Sequence, residues 1–416
     1  MTSGAWLALA LFAALYVVLV MEWVHRAVAA VLAAVAALAG GLISPAAART
    51  ALDLNTLLLL FGIMVLVALL ERAGLFLRVA RLGEAWGGHS AARLTWAFIL
   101  LTAVVSAFLP NVTVVLMLAP IVITAAEAAH INPVPLLIFD VLASNLGGMA
   151  TLVGDPPNIL IGTAGSLTFV DFLHYVAPLA VLLVLLVAWV AVRSLRRQAA
   201  TASAAMEPMA VAHGRQLGPL AVVFGLTLVA FVFQPHLGLP LGALAVLGAM
   251  VAVIVVGGDL DQVLPGIDWS TLIFFAGLFV VVGAMVQQGV VETATRWLLS
   301  QSFGAALPVV VMVGTAVLSA FLDNLPIVAA MIPLVTRVLA VDPGYGPDLW
   351  VALAIGAAVG GNATLYGAAA NVVAGSLAKS RGYRLSFAEW ARIGMPLTAA
   401  LLAVSAGWMW LGGTRL

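Results

Sequence analysis

Apolar runs of helical length follow one another along almost the whole sequence, and they constrain the fold more than any other feature. A helix that crosses a bilayer needs about 20 mostly apolar residues, whereas the strands of an outer-membrane barrel are alternating segments of about 10. Hydrophobic residues make up 64% of the 416 residues and charged residues only 8%, whereas a soluble domain carries roughly 25% charged residues. The sequence therefore predicts an all-α, polytopic membrane protein.

The apolar runs fall into two sets of six, separated by one hydrophilic stretch. The first run has no basic residue before it and is followed by a second apolar run, which favours a retained span over a cleaved signal peptide. We place the first set near 5–22, 27–43, 54–71, 94–126, 134–165 and 173–192, and the second near 218–234, 241–256, 270–288, 306–340, 349–378 and 395–411. We therefore predict a first transmembrane repeat at 1–192, a cytoplasmic linker loop at 193–217 and a second, inverted transmembrane repeat at 218–416.

Four short motifs occur in the same order in both halves. They are Asp53-Leu-Asn-Thr-Leu with Asp268-Trp-Ser-Thr-Leu, Ser106–Asn111 with Ser319–Asn324, Gly147–Gly154 with Gly360–Gly367, and Leu167-Thr-Phe before Asp171 with Leu385-Ser-Phe before Glu389. Such an ordered set indicates an internal duplication. The glycine pairs that open the third motif favour close helix packing over phosphate binding.

The distribution of basic residues predicts the orientation. If the segments at 94–126 and 306–340 are hairpins that enter and leave on one side, each half crosses the membrane five times, and an odd number inverts the second half. With the 193–217 loop in the cytoplasm, 13 of the 17 Lys and Arg residues lie inside and four, Arg49, Arg296, Arg337 and Arg415, lie outside. This asymmetry satisfies the positive-inside rule. We expect a multi-pass protein of the cell inner (cytoplasmic) membrane with both termini extracytoplasmic.

Four of the apolar runs are interrupted by polar residues. Proline and asparagine lie within Ser106–Thr113 and Ser319–Pro326, and each segment predicts the tip of a re-entrant hairpin, because irregular backbone at membrane depth must be surrounded by protein or by a water-filled cavity. One continuous kinked helix is the alternative. The segments Thr151–Asn158 and Thr364–Asn371 predict broken helices. The second part of each would begin with a buried N-terminus that suits an anion or a hydroxyl oxygen.

The residues of these interruptions form the predicted site, at the midplane between the two repeats. The candidate substrate-binding residues are Asn111, Thr113, Thr151, Asn158, Asn324, Asn362, Thr364 and Asn371. Asp155 and Asp323 are the candidates for proton or cation coupling, since an acid inside a bilayer costs about 3 kcal/mol and usually faces a cavity. Either acid could instead cap the half-helix that follows it. For Asp140, in another apolar run, a buried structural hydrogen bond is an equally good explanation.

Several classes of function are excluded by what the sequence lacks. It has no cysteine, which excludes disulfides and thiolate metal sites, and its six histidines show no metal-binding spacing. A formal net charge of zero gives no electrostatic reason to expect nucleic acid. No GxxxxGK[ST] stretch indicates an ATPase in this chain. We predict no cofactor, no resident metal and no enzymatic activity.

The motifs resemble those of the ion transporter superfamily, and within it the ArsB/NhaD-type permeases and the related P-protein group. The residues that carry this resemblance are 144–158, 319–326 and 360–374, and the similarity spans essentially the whole chain. The length and the third motif look most like arsenite/antimonite efflux permeases. Some of those permeases carry an acid beside the first-hairpin Asn, where this sequence has Val112. The resemblance therefore leaves open which carboxylate carries the proton.

The residue types of the interruptions agree with arsenite. At neutral pH arsenite is an uncharged trihydroxide, which Asn, Thr and helix N-termini can bind. No Arg or Lys lies in the interruptions, which disfavours a polycarboxylate without excluding one, since helix N-termini bind carboxylates.

We therefore predict a secondary active transporter that exports arsenite and antimonite in exchange for protons and confers arsenic resistance. A sodium/proton antiporter and a carboxylate or divalent-anion transporter of the same superfamily are the alternatives within transport. A channel or a structural subunit would need a continuous pore or a partner. A cytoplasmic ATPase partner could dock on the loops.

Overall fold

The protein is described by a computed structural model for residues 2–21, 23–87, 90–199, 216–258, 260–301 and 303–412. Within these ranges the chain forms helices and turns and no strand. The helices of the first half are α1 (Ser3–Met21), α2 (Arg26–Ala39), α3 (Pro45–Ala51), α4 (Leu54–Arg72), α5 (Leu75–Gly87), α6 (Ala91–Ser106), α7 (Asn111–Ala128), α8 (Pro133–Met149), α9 (Pro156–Gly165), α10 (Phe169–Tyr175) and α11 (Ala177–Ala199). Those of the second half are α12 (Leu217–Val232), α13 (Gln234–Leu237), α14 (Leu241–Val255), α15 (Leu260–Val263), α16 (Trp269–Gln287), α17 (Val290–Ser300), α18 (Leu307–Ser319), α19 (Asn324–Val341), α20 (Asp348–Gly360), α21 (Ala369–Ser380) and α22 (Phe387–Trp410).

The helix order of the second half repeats that of the first. Helices α12, α14 and α15 correspond to α1, α2 and α3, helices α16 to α21 correspond to α4 to α9, and α22 takes the place of α10 and α11. The packing is reciprocal as well: α4 packs on α14 as α16 packs on α2, and α7 contacts α21 as α19 contacts α9. The two halves are inverted-topology repeats that interlock through equivalent contacts.

The motifs that repeat in the sequence form the same structural device in each half. Asp53 and Asp268 are N-caps whose side chains accept hydrogen bonds from the backbone amides of Thr56 and Thr271, respectively. The last motif forms a capping box in both halves, at 168–171 before α10 and at 386–389 before α22. The internal duplication that the sequence predicted is confirmed.

The apolar helices match the predicted membrane spans. Six helices of the described chain are long and apolar enough to cross a membrane on their own, namely α4, α7, α11, α16, α19 and α22. Exposed apolar side chains such as Leu226 and Ile254 cover the outer faces of α12 and α14, as lipid-facing helices require. Helix α11 continues to Ala199, beyond the predicted span end, and residues 200–215 of the predicted linker lie outside the described residues. The domain boundaries stay a prediction.

The segments at 94–126 and 306–340 fold as hairpins. The turn at 107–110 separates α6 from α7, and the turn at 320–323 separates α18 from α19. Helix α5 leads directly into α6 and also contacts α7. In the second half, Glu292 of α17 pairs at 2.5 Å with Arg337 near the end of α19. The second arm of each hairpin therefore returns towards the side from which the first arm came. The re-entrant hairpin is confirmed, and the continuous kinked helix is wrong.

The segments at 134–165 and 349–378 are broken helices. In the first half the break lies between α8 and α9, and Pro156 and Pro157 occupy the first positions of α9, where the missing backbone N–H costs nothing. Close packing holds the break against the hairpin turn: a Cβ added at Gly154 would lie 2.6 Å from the Gly148 carbonyl oxygen and 2.7 Å from that of Ser106. A Cβ on Gly147 would lie 2.2 Å from the Ala103 carbonyl oxygen, which confirms the packing role predicted for the glycine pairs.

Candidate functional site

A cavity of about 580 Å³ lies where the two hairpin tips and the two broken helices meet. Its lining includes the hairpin tips at 110–113 and 321–326, the start of α9 at 155–157 and the start of α21 at Ala369. Side chains of α1, α2, α4 and α16 complete the wall. The exposed residues His25 and Asp268 lie on the lining at one end, where α2 and α16 begin and α4 ends. The cavity therefore opens at that end.

Five of the predicted site residues line this cavity. They are Asn111, Thr113, Asp155, Asp323 and Asn324. Two residues come from the first hairpin, one from the first broken helix and two from the second hairpin. The sequence motifs of the two halves therefore meet in one place, although Asp155 and Asn324, for example, lie 169 residues apart in the sequence.

Asp155 and Asp323 belong to different halves, and the residue next to Asp323 in the chain is hydrogen-bonded to Asp155. The Asn324 amide nitrogen donates to Asp155 Oδ2 at 3.3 Å, and Asp323 is the neighbour of Asn324 in the chain. Asp323 Oδ1 accepts from the Leu325 backbone amide at 3.2 Å, so this residue is an N-cap of α19 while it also lines the cavity. Asp155 stands at the N-cap position of α9 but accepts no capping hydrogen bond, which leaves its carboxylate directed to the cavity and to Asn324.

The other five predicted substrate-binding residues are buried and are not among the lining residues. The hydroxyls of Thr151 and Thr364 donate to the carbonyl oxygens of Ala107 and Ala320, respectively, which lie in the hairpin turn of the same half. The Asn158 amide nitrogen donates to three carbonyl oxygens of the break between α8 and α9, and that of Asn371 donates to two in the second half. Their amide donors therefore hold the broken backbone in place, as irregular backbone at membrane depth requires. A role of these residues in substrate binding stays a prediction.

A chain of asparagines connects the halves behind the cavity. Asn111 Nδ2 donates to Asn145 Oδ1 at 3.0 Å, and Asn145 Nδ2 donates to the Oδ1 atoms of Asn362 at 2.8 Å and Asn371 at 3.0 Å. Within the described residues the amide nitrogen of Asn362 has no partner. Sequence analysis quoted Asn145 within a motif without assigning it a role. Its signal was weak, because the equivalent residue in the second half is Ala358.

Arg26 also lines the cavity, which sequence analysis missed because this residue precedes the predicted second span. Its Nη2 atom lies 3.0 Å from Asp268 Oδ2 and donates to Thr271 Oγ1 at 2.7 Å. Burial would raise the pKa of Asp268, but hydrogen bonds from Thr271 and Ser270 and the charge of Arg26 outweigh it and hold that pKa below its usual value. The expectation that the cavity contains no arginine is therefore wrong.

Four helix N-termini converge on this region. Helices α7, α9, α19 and α21 begin at the two hairpin tips and the two breaks. A helix N-terminus carries unpaired N–H groups and about half a positive charge. The cavity thus combines N-terminal amides, one arginine and two asparagine amides with four acidic side chains, Glu71, Asp155, Asp268 and Asp323. The amides and the arginine can bind an anion, and the acids can bind a proton or a cation.

Comparison with known proteins places the chain among transporters. The sequence profile of CitMHS, the citrate transporter family, matches residues 16–302 and 228–413. An uncharacterized transporter of Mycobacterium tuberculosis is 38% identical over 370 residues, 86% of each chain, and another is 35% identical over 97% of each chain. The human P protein is 32% identical, and the match covers 94% of this chain and 58% of that protein. Among solved structures, the YdaH transporter of Alcanivorax borkumensis shares the fold, with a TM-score of 0.62 over 85% of each chain and 16% sequence identity.

Proposed function

This chain belongs to the citrate transporter family CitMHS, and from that premise we propose that it is a proton-coupled secondary transporter of a small carboxylate anion. The observation that carries the proposal is that Arg26 and the helix N-termini of both halves lie around one cavity. Backbone N–H groups at helix N-termini bind carboxylates without a fixed charge, and an arginine adds a charge-assisted contact. The family description, citrate transporter, names a ligand of this chemistry.

Asp155 and Asp323 are the groups that couple transport to protons in this proposal. Asp155 lies at a helix break and Asp323 at a hairpin tip, and at both places an uncompensated charge is costly. A proton or a cation on one of them removes that cost and lets the loaded site change its exposure. A carboxylate substrate that enters together with a proton would also meet less repulsion from the two acids.

Arsenite is the second candidate, and the polar side chains of the hairpin tips favour it. Asn111, Thr113 and Asn324 line the cavity with groups that can bind hydroxyl oxygens. An uncharged trihydroxide would not need Arg26, whereas a carboxylate would use it. Substitution of Arg26 therefore separates the two candidates.

With the orientation predicted from the basic residues, the open end of the cavity faces the cytoplasm. Arg26 and Arg72 then lie on the inner side, at the ends of α2 and α4. This arrangement is the inward-open state of an alternating-access cycle, in which the site must later open on the other face of the membrane.

The test is uptake into proteoliposomes that contain the purified protein, with an imposed pH gradient and with citrate, arsenite or sodium offered separately. We expect gradient-driven citrate movement, which Asp323→Asn or Asp155→Asn abolishes while the protein stays folded. Arg26→Gln should weaken citrate binding about tenfold, the loss of one charge-assisted hydrogen bond. Arg337→Gln is the matched control, because Arg337 is exposed and lies outside the cavity lining.

Three results would contradict the proposal. Arsenite movement that is insensitive to Arg26→Gln would favour the second candidate. Proton release driven by sodium alone would favour a sodium/proton antiporter. Normal gradient-driven transport by both Asp variants would show that neither acid carries the proton.

A further inference from the structure

Asp140 is a buried acid that the proposed site does not use. It is the eighth residue of α8 and only 1% exposed, and it is not among the cavity-lining residues. Neither of its carboxyl oxygens has a hydrogen bond of regular geometry among the described residues, nor has the hydroxyl of Thr102 on the facing helix α6, although these two side chains interact. The Thr102 side chain is nevertheless positioned to hydrogen-bond this carboxyl, and the structural hydrogen bond that the sequence left as one explanation stays a prediction. An unpaired carboxylate at this depth is costly, and a proton on it removes that cost.

No charged side chain of the described residues compensates Asp140. The helices that pack on α8 are α6, α7, α11, α20, α21 and α22. Their charged residues with described side chains all lie in the first or last two turns: Arg93, Glu127, Arg193, Asp348, Lys379, Glu389 and Arg392. Asp140 lies in the middle of α8, so the group that balances it must be a proton or a small ligand.

A ladder of hydroxyl groups runs from Asp140 towards the cavity. Thr102 and Ser106 are one turn apart on α6, and Asp140 and Ser144 are one turn apart on α8, so each pair shares a helix face. Ser106 Oγ and Ser144 Oγ are 3.0 Å apart and form a buried hydrogen bond. A Cβ added at Gly148 would lie 3.5 Å from Ser106 Oγ and 3.4 Å from the Cβ of Asp155. The ladder thus ends beside the acid of the first broken helix.

The second half keeps the threonine and the serine of the ladder's first helix, but it has neither the acid nor Ser144, whose equivalent is Ala357. Ser106 and Ser319 are equivalent positions of the two repeats and lie 213 residues apart. At this spacing Thr315 is the equivalent of Thr102, and Leu353 is the equivalent of Asp140. Thr315 is buried and its hydroxyl has no partner in the described chain, while Ser319 donates to the Ala357 carbonyl oxygen at 2.8 Å. The fold therefore accepts leucine at this position of the repeat, which argues against a purely structural need for the carboxyl of Asp140.

We propose that Asp140 is a second proton-binding carboxyl of the transporter and exchanges its proton with Asp155 through the hydroxyls of Thr102, Ser106 and Ser144. The step is a reversible protonation in which one carboxylate takes up the proton that the other releases. This inference rests on the proposed proton coupling, but proton binding by Asp140 can be observed without transport.

The first experiment is infrared spectroscopy of the purified protein in normal and deuterated water. Asp140→Leu, which installs the residue of the second half, should remove one protonated-carboxyl C=O band that shifts on deuteration. The second experiment measures protons moved per citrate in proteoliposomes. Asp140→Leu and Thr102→Val should lower this ratio and flatten the pH dependence of uptake, with citrate binding unchanged. Thr315→Val is the matched control, and it should leave the number of protons moved per citrate and the pH dependence of uptake at the parent values.

The proposal would be overturned if the protonated-carboxyl bands of the infrared spectrum were unchanged in Asp140→Leu. It would also be overturned if Asp140→Leu and Thr102→Val moved as many protons per citrate as the parent. If Asp140→Leu does not fold, Asp140→Asn and Thr102→Val decide the question on the same two measurements. If the parent protein moves no proton with either substrate, the proposed function fails, and the infrared band still decides whether Asp140 holds a proton.

Discussion

Asn145→Ala tests whether the asparagine chain holds the two halves together. The substitution removes three hydrogen bonds, with Asn111, Asn362 and Asn371, from a residue that is 1% exposed. Side-chain hydrogen bonds between membrane helices contribute about 0.6 kcal/mol each on average and at most about 1.7. Three of them give roughly 2–5 kcal/mol, and the upper part of this range applies if the orphaned partners find no substitute.

The assay is reversible unfolding in mixed micelles, with the free energy of unfolding compared between the parent and the variant. Asn55→Ala is the matched control, because the Asn55 side chain accepts one hydrogen bond, from the Gly242 backbone amide at 2.8 Å, and should cost about 1 kcal/mol. Alanine itself is tolerated at the equivalent position of the second half, Ala358. If Asn145→Ala lowers the free energy of unfolding no more than Asn55→Ala does, the chain of asparagines is not a main connection between the repeats.

Two further predictions concern packing and pH. Gly154→Ala should destabilise the protein by about 1–3 kcal/mol, because the new methyl group would lie within 2.8 Å of three backbone carbonyl oxygens. Gly225 lies in open space within α12, so Gly225→Ala should stabilise the protein by about 0.5–1 kcal/mol. Thermal unfolding of both variants measures these changes. The pKa of Tyr383, between α21 and α22, is raised chiefly by its hydrogen bond to the Glu127 carboxylate, since that bond favours the protonated phenol. Glu127→Gln should therefore let Tyr383 ionise at lower pH, as measured by phenolate absorbance against Tyr383→Phe, and an unshifted titration would contradict this.

The fold was accessible from the sequence because its strongest signals are local. Proline at 110 and at 156–157, set in apolar runs, marks helix ends by covalent geometry alone. The same motifs recur in the second half, so an error in one copy could be checked against the other. The ends of helices were less predictable: α11 runs to Ala199 because a helix can continue past the bilayer surface, where hydropathy no longer reports it.

The site was only partly accessible, because hydrogen bonds across 200 residues leave no local signal. The sequence could not distinguish Asn111, which lines the cavity, from Asn158, whose amide is used by the broken backbone. Arg26 was missed for a different reason. It precedes a predicted span, and only the packing of α2 on α16 brings it to the cavity.

The duplication leads to a last prediction, on where the cavity opens in the opposite state. Val67 of α4 lines the cavity, and Val282 of α16, its equivalent at the spacing that separates Asp53 from Asp268, is 8% exposed and not among the lining residues. Because equivalent contacts join the two halves, an exchange of their conformations closes the present opening and exposes the equivalent surface at the other face of the membrane.

Single cysteines can test this exchange, because the sequence contains no cysteine of its own. Val67→Cys should react with a membrane-impermeant thiol reagent from the face where α2 and α16 begin. Val282→Cys should react only from the opposite face, and faster when substrate and a pH gradient keep the transporter cycling, since cycling populates the opposite state. Protection of Val282→Cys from both faces during active transport would contradict an exchange between the repeats. Equal reactivity of Val67→Cys from both faces would instead indicate a continuous pore.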